Sequence, residues 1–178
     1  TALRLDEYVA RAQRAAREHH ARLAGPHPLE GLSVAGLAPY QRANLALALR
    51  AAEEIAGGLR REAVEAALRS LSVPGRAQLL GGDPPLIADA AHNADGARAL
   101  AAALPPLGGE RVVCCLAILE GKDAAAIVRA LAPRCERAVC TEVPESDIAA
   151  GGRPGGRSIS ASELARLFAA EGIEAEAV

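Results

Sequence analysis

From about residue 76 onward, short apolar runs alternate with longer segments in which apolar residues recur every three or four positions. The first kind of segment is typical of buried β-strands and the second of amphipathic helices. The pattern predicts strands near 76–80, 85–89, 111–118, 136–142 and 173–177. It predicts helices near 93–104, 123–133 and 161–171. Such alternation is typical of an α/β fold with a mostly parallel sheet and helices on both faces.

The residues before this region are predicted to be mainly helical. Helical spacing of apolar residues predicts helices over 3–23, Pro39–Ile55 and Leu59–Leu71, with a short strand over Gly31–Ala35. The segment Val73-Pro74-Gly75-Arg76 has the composition of a linker. The sequence therefore predicts a domain boundary, with residues 1–72 in one domain and 73–178 in the next.

Composition narrows the classes of function. The chain has 178 residues, of which 51% are hydrophobic, but only two Tyr, one Phe and no Trp, so its core is expected to consist of aliphatic side chains. A formal net charge of −2 argues against general binding to nucleic acid or to a membrane surface. No apolar run of about 18 residues is present, so no membrane span is predicted. The four cysteines have no Cys-x-x-Cys spacing, which argues against a zinc site and favours reduced thiols in a cytoplasmic protein.

Lysine is nearly absent from the chain, and this bears on phosphate binding. Lys122 is the only lysine, and it is followed by Asp123, whereas a P-loop requires Ser or Thr at that position. Leu116 also stands where the first glycine of a P-loop would be. Any ATP-dependent chemistry would therefore need a phosphate-binding loop from residues outside this chain.

A candidate site follows the second predicted strand. The apolar run ends at Asp89, His92-Asn93 follow three residues later, and a helical pattern then begins. This order places Asp89 and His92 at the carboxyl edge of a strand, where open α/β sheets bind ligands. Asn93 is a good N-cap, and free N–H groups at the start of that helix could face an anion. The alternative is that Asp89 only caps the helix and that His92 is an ordinary surface residue.

The segment Asp89-Ala90-Ala91-His92-Asn93-Ala94 resembles the Asp-Gly-Ala-His-Asn-Pro signature of folylpolyglutamate and dihydrofolate synthases, members of the Mur ligase superfamily. It departs from that signature at Ala90 and Ala94. The resemblance implies that Asp89 binds the nucleotide ribose and that His92 is a catalytic residue beside the phosphates. It also implies that residues 73–178 form the Rossmann-like carboxyl-terminal domain of a Mur ligase.

Two further segments resemble the same family. Pro74-Gly75-Arg76 matches the Pro-Gly-Arg of the interdomain linker, and the resemblance implies that Arg76 contacts ATP phosphates. Pro39-Tyr40-Gln41-Arg42-Ala43-Asn44 is similar to the family's His-Gln-x-x-Asn, which implies that Asn44 contacts adenine. Tyr40 replaces the family's histidine, so that residue's role is not transferred. The alternatives are a solvated linker arginine and an asparagine packed between helices.

The resemblance implies an ATP-dependent ligase that adds L-glutamate to folate or dihydropteroate through an acyl phosphate. ATP and Mg²⁺ would be the cofactors, bound mainly by an amino-terminal and central domain that this chain lacks. Residues 1–72 would be the last helices of that central ATP-binding domain. No residue here is assigned as a metal ligand, and the chain alone is expected to be inactive.

Two other interpretations stay open from the sequence. The chain could come from a Mur-type amide ligase with another substrate, such as a cell-wall precursor. It could also be a non-catalytic α/β interaction module. Dinucleotide binding is disfavoured, because no Gly-x-Gly-x-x-Gly follows a predicted strand.

Overall fold

The computed structural model describes residues 5–107 and 111–178, with the side chains of residues 5–8 and 106 left aside. The chain forms two compact units. One contains the residues up to Gly36 together with Arg42–Ser70, and the other contains Leu37–Gln41 together with Leu71–Val178.

The first unit is helical. It contains α1 (Leu5–Glu18), most of α2 (Pro39–Ala56) and α3 (Arg61–Arg69). The strand expected over Gly31–Ala35 was a wrong prediction, because this segment forms turns. Its backbone bonds are local, from Leu32 N–H to Leu29 O (3.1 Å) and from Val34 N–H to Leu32 O (3.0 Å). The first helix also ends five residues earlier than its apolar pattern suggested.

The second unit contains the α/β fold that the sequence predicted. Strands β3 (Val112–Leu116), β4 (Cys135–Cys140) and β5 (Glu174–Ala177) form a parallel sheet in that order. The helices of this unit are α4 (Ala94–Ala103), α5 (Ala124–Leu131), α6 (Glu145–Ala150) and α7 (Ala161–Ala170). Of these, only the six-residue helix α6 was not anticipated from the sequence.

The first two strands of this unit are not part of the parallel sheet. β1 (Gln78–Gly81) and β2 (Leu86–Ala88) form a separate antiparallel pair, in which Gln78 lies opposite Ala88. The mostly parallel sheet that the sequence predicted therefore contains three of the five predicted strands, and the other two form this hairpin. The connection from Gly82 to Pro85 is the reason, because a link this short can join only antiparallel strands.

The core of the second unit lies between the parallel sheet and helices α5 and α7. Leu164 and Phe168 of α7 are fully buried there, and Ala138 and Cys140 of β4 are buried beneath them. Val113 of β3 points to the opposite face of the sheet and is 61% exposed, so helices do not cover that face at this position. No helix in the described ranges is long and apolar enough to cross a membrane.

Candidate functional site

Asp89 directly follows β2 and binds three separate parts of the second unit. Its Oδ2 accepts hydrogen bonds from the Tyr40 hydroxyl (2.8 Å) and from the Ala77 N–H (2.7 Å). Its Oδ1 accepts a third from the Ala91 N–H (2.8 Å). A half-buried carboxylate is costly to desolvate unless donors surround it, and these three donors meet that need. Asp89 thus connects the backbone at Ala77 and Ala91 with the side chain of Tyr40. Its Oδ1 accepts one of these hydrogen bonds and can accept one more.

The segment before β1 is a turn that rests against the Asp89 segment. The Arg76 N–H bonds to Val73 O at 3.2 Å, which closes a four-residue turn. Pro74 stands at its second position and Gly75, with φ +65°, at its third, as a type II turn requires. The Ala90 N–H then bonds to Gly75 O at 2.8 Å. The Pro-Gly pair therefore holds Arg76 close to Asp89.

Gln41 fixes the backbone of Arg76. Its side-chain Nε2 donates to Arg76 O at 2.7 Å, and its Oε1 accepts the Ala38 N–H at 2.8 Å. Ala38 is itself buried with Ala77 in a small apolar cluster. The start of α2 is consequently part of the site.

The Arg76 guanidinium lies close enough to Tyr40 to affect the pKa of its hydroxyl group. Burial raises the pKa of Tyr40 well above its ordinary value, and the hydrogen bond and negative charge of Asp89 raise it further. The Arg76 guanidinium lowers the pKa, which means that it lies near enough to favour a negative phenolate. Tyr40, Asp89 and Arg76 therefore form one electrostatically linked group.

His92 lies one residue before the N-cap of α4 and is exposed. Its Nδ1 is 3.1 Å from Ala90 O. A carbonyl oxygen only accepts, so Nδ1 carries the proton in this contact and Nε2 remains available. The ring can thus offer an acceptor when neutral and a second donor when charged.

The start of α4 follows directly. The Asn93 side chain caps the helix by accepting the Gly96 N–H at 2.7 Å, as the sequence predicted for an N-cap. Helix geometry leaves the N–H groups of the first two residues, Ala94 and Asp95, without acceptors inside the helix. The exposed Asp95 carboxylate pairs with Arg98, which offsets part of its negative charge at this end.

The structure brings together three of the four predicted site residues. Arg76, Asp89 and His92 all lie in the second unit, within the turn and loop just described. Asn44 is exposed on the part of α2 that belongs to the first unit. Sequence reasoning missed Tyr40, Gln41 and Ala77 as site residues, since only the fold brings Tyr40 to a partner 49 positions away.

Within the ranges that the structure describes, no three His, Cys, Asp or Glu side chains converge in a way that could hold a metal ion. Asp89, the carboxylate at the site, accepts three hydrogen bonds from the protein. This part of the molecule therefore does not fit a metal-binding role.

Residues 75–178 match the family described as "Mur ligase, glutamate ligase domain". The chain is 27% identical to a bifunctional folylpolyglutamate synthase/dihydrofolate synthase of Yersinia pestis complexed with AMPPNP and a Mn ion, with a TM-score of 0.70 over 93% of this chain. It is 29% identical to Mycobacterium tuberculosis folylpolyglutamate synthase complexed with ADP, with a TM-score of 0.65 over 79% of this chain.

A curated relative has a similar name. This chain is 29% identical, over 109 residues (61% of the chain), to a Halobacterium salinarum protein named "Probable bifunctional folylpolyglutamate synthase/dihydropteroate synthase". The chain spans only part of each relative. It covers 13% of the Halobacterium protein, 41% of the Yersinia chain and 30% of the Mycobacterium chain.

Proposed function

Because this chain belongs to the Mur ligase family through a glutamate ligase domain over residues 75–178, we propose that it is the carboxyl-terminal part of a folylpolyglutamate or dihydrofolate synthase. The whole enzyme would join L-glutamate to folate or dihydropteroate at the expense of ATP. The first unit would be the end of the enzyme's central ATP-binding domain. The observation that carries this proposal is the convergence of Tyr40, Arg76 and Asp89 beyond β2, beside the loop that presents His92.

The reaction that we propose has two steps. The substrate carboxylate attacks the γ-phosphorus of ATP, which forms an acyl phosphate and releases ADP. The amino group of glutamate then attacks the acyl carbon, and phosphate leaves as the amide forms. Both steps develop or move negative charge on phosphoryl oxygens, so fixed positive groups and the exclusion of water favour them.

Each residue of this domain has a distinct part in the proposal. The permanently charged guanidinium of Arg76 would bind phosphate oxygens, for which its planar set of donors is well suited. The Asp89 Oδ1 would accept a hydrogen bond from a ribose hydroxyl group. His92 would offer Nε2 to the phosphates or to the reacting centre, donating when the ring is charged and accepting when it is neutral. Asn44 is proposed to contact adenine.

Mg²⁺, when bound by the rest of the enzyme, would offset the negative charge of the transferring phosphoryl group. The described residues of this chain do not fit a metal site, so we do not propose that they bind the metal ion. The domain would instead close over ATP held by the other domain and position these groups, since accurate positioning contributes strongly to such transfers. The cytoplasmic location expected from the sequence stays a prediction.

The test is an assay for ADP release that depends on both glutamate and a folate substrate. The longer protein that contains this chain is expected to release ADP only when both substrates are present. The isolated 178-residue chain is expected to give no turnover, because its sequence has no P-loop. Turnover with a cell-wall precursor in place of folate would favour the other Mur-type ligase. Robust turnover by the isolated chain would overturn the proposal that the phosphate-binding loop comes from outside this chain.

A further inference from the structure

Tyr40 is a half-buried tyrosine in the first turn of α2. Its hydroxyl group bonds to Asp89, and its ring packs against the small apolar cluster of Ala38, Ala77 and Ala103. That hydroxyl and the Ala77 N–H approach the same Asp89 oxygen, at 2.8 and 2.7 Å. Two donors on Oδ2 fix the rotation of the carboxylate about its Cβ–Cγ bond. They also fix where Oδ1 lies, and Oδ1 is the oxygen that keeps acceptor capacity.

Gln41, the next residue in the sequence, holds a different part of the site, the backbone of Arg76. Its side chain holds the backbone carbonyl of Arg76 at 2.7 Å and the Ala38 N–H at 2.8 Å. Two consecutive residues of one helical turn therefore hold Asp89 and Arg76. These are two of the groups of the second unit that the proposed function assigns to the nucleotide.

We propose that Tyr40 is a positioning residue, whose hydroxyl holds the Asp89 carboxylate so that Oδ1 can receive a ribose hydroxyl of the nucleotide. The inference rests on the proposed function, since the nucleotide comes from there. It adds a role for a residue to which the sequence assigned none. Tyr40 acts through Asp89 and is not itself a catalytic residue.

The protonation state of Tyr40 suits this role. Burial and Asp89 raise the pKa of the phenol above its ordinary value, which is already far above neutral pH. The hydroxyl therefore keeps its proton and remains a donor throughout the range in which the enzyme would work. Arg76 opposes this shift and does not reverse it.

The first experiment measures ADP binding and steady-state kinetics of the longer protein with Tyr40→Phe, Asp89→Asn and both changes together. Tyr40→Phe removes one oxygen and keeps the ring, so packing is preserved. We expect it to weaken ADP binding and raise KM for ATP roughly tenfold, with kcat within about twofold, because the substitution removes one hydrogen bond to a charged group. The double variant should bind ADP no more weakly than Asp89→Asn alone, because Tyr40 acts only through Asp89. Tyr8→Phe, the same change at the chain's other tyrosine, is the matched control and should leave both constants unchanged.

Two results for ADP binding would overturn the proposal, and so would one result for the kinetics. One is an unchanged affinity for ADP in Tyr40→Phe. The other is that the losses from Tyr40→Phe and Asp89→Asn simply add, which would mean that the residues act independently. A fall in kcat with an unchanged KM would point to a merely structural role and would also count against positioning.

The second experiment leaves Tyr40 intact and therefore does not depend on how Tyr40→Phe folds. With Tyr8→Phe in the 178-residue chain, Tyr40 is the sole tyrosine and no tryptophan is present, so ultraviolet absorbance reports its ionisation directly. We expect it to ionise above the ordinary tyrosine pKa of about 10, and at lower pH when Asp89→Asn is added. Ionisation at the ordinary pKa in both chains would show that the bond to Asp89 is absent.

The two proposals can fail separately. A longer protein that binds ADP and shows the Tyr40–Asp89 coupling, but has no glutamate-dependent turnover, would overturn the proposed function and leave the role of Tyr40 standing. Turnover without the coupling would do the reverse.

Discussion

The N–H of Ala77 and the carboxylate of Asp89 meet where the next backbone pair of the β1–β2 ladder would lie. Gln78 and Ala88 are the last paired residues, and Ala77 and Asp89 are the next along each strand. At this point Ala77 adopts φ +47°, and its N–H bonds to the Asp89 side chain at 2.7 Å. The carboxylate thus takes the place of a backbone acceptor and closes the open end of the hairpin.

The first prediction concerns Asp89→Asn in the 178-residue chain. An amide keeps one acceptor oxygen but brings an NH₂ group against an N–H or O–H donor. The charge that supports three hydrogen bonds is also lost. We expect the free energy of unfolding, measured by urea denaturation, to fall by about 1.5–3 kcal/mol.

The control is Asp95→Asn, which makes the same chemical change at an 89% exposed carboxylate. An exposed ion pair contributes little, so its loss should stay within about 0.5 kcal/mol. Equal effects of the two substitutions would mean that the Asp89 side chain does not stabilise the open end of the hairpin.

The second prediction separates backbone strain from lost packing at Ala77. Ala77 and Ala101 are both 9% exposed, but Ala101 lies in helix α4 and Ala77 has a left-handed backbone. Glycine relieves the left-handed strain, worth about 1–2 kcal/mol, which offsets the loss of one buried methyl at about 0.8 kcal/mol. We expect Ala77→Gly to leave the stability nearly unchanged or slightly higher.

Ala101→Gly should behave differently, since glycine inside a helix costs about 0.5–1 kcal/mol in addition to the lost methyl. Comparing the urea midpoints of the two variants tests this difference. If Ala77→Gly is as destabilising as Ala101→Gly, then the conformation of Ala77 is not strained.

The sequence predicted the local arrangement of Asp89, His92 and Asn93 for a physical reason. Asp89 lies directly after β2 and His92 just before α4, as the apolar run and the helical pattern predicted, although β2 belongs to the separate hairpin and not to the parallel sheet. Asn93 was recognisable as a cap because its side chain binds a neighbour only three residues away. Local patterns of this kind are visible in any single sequence.

What the sequence could not predict depends on long-range contacts. The bond from Tyr40 to Asp89 joins residues 49 positions apart, and no local pattern encodes that pairing. Ala77 has a left-handed backbone conformation that is unusual for alanine and more common for glycine or asparagine. The separation of β1 and β2 from the parallel sheet was missed because apolar runs do not reveal which strand pairs with which.

The third prediction concerns the cysteines, all four of which are free thiols. Cys115 is exposed on β3. Burial, together with the neighbouring Cys135 thiol, raises the pKa of Cys114 to about 12. Burial also raises the pKa of Cys140, and Cys135 is fully buried. Because the thiolate is the reactive form and must be accessible, one thiol per folded chain should react quickly with iodoacetamide at about pH 8.

Mass spectrometry of the intact chain over time gives the number of modified thiols, and Cys115→Ser identifies the residue. We expect this variant to lose the fast reaction and to be modified only after denaturation. Fast modification that persists in Cys115→Ser would show that a thiol on the core face, Cys114 first, is open to solvent.

The last prediction concerns Arg76 in the proposed longer enzyme. Its backbone is fixed by the Gly75 turn and by Gln41, while its guanidinium lies near Tyr40. Arg76→Ala should leave the site's backbone in place and remove the positive group that we propose to bind the phosphates. We expect kcat/KM for ATP to fall at least about tenfold, equivalent to about 1.4 kcal/mol of transition-state stabilisation.

Two further variants separate the charge of Arg76 from its geometry. Arg76→Lys keeps the charge but loses the planar pair of donors, so it should recover only part of the activity. Arg98→Ala removes an exposed arginine from the same unit and should change kcat/KM by less than about twofold, since its pair with Asp95 is open to solvent. If Arg76→Ala and Arg98→Ala have equal effects, positive charge in this region acts only through the general field, and Arg76 has no specific contact with the nucleotide.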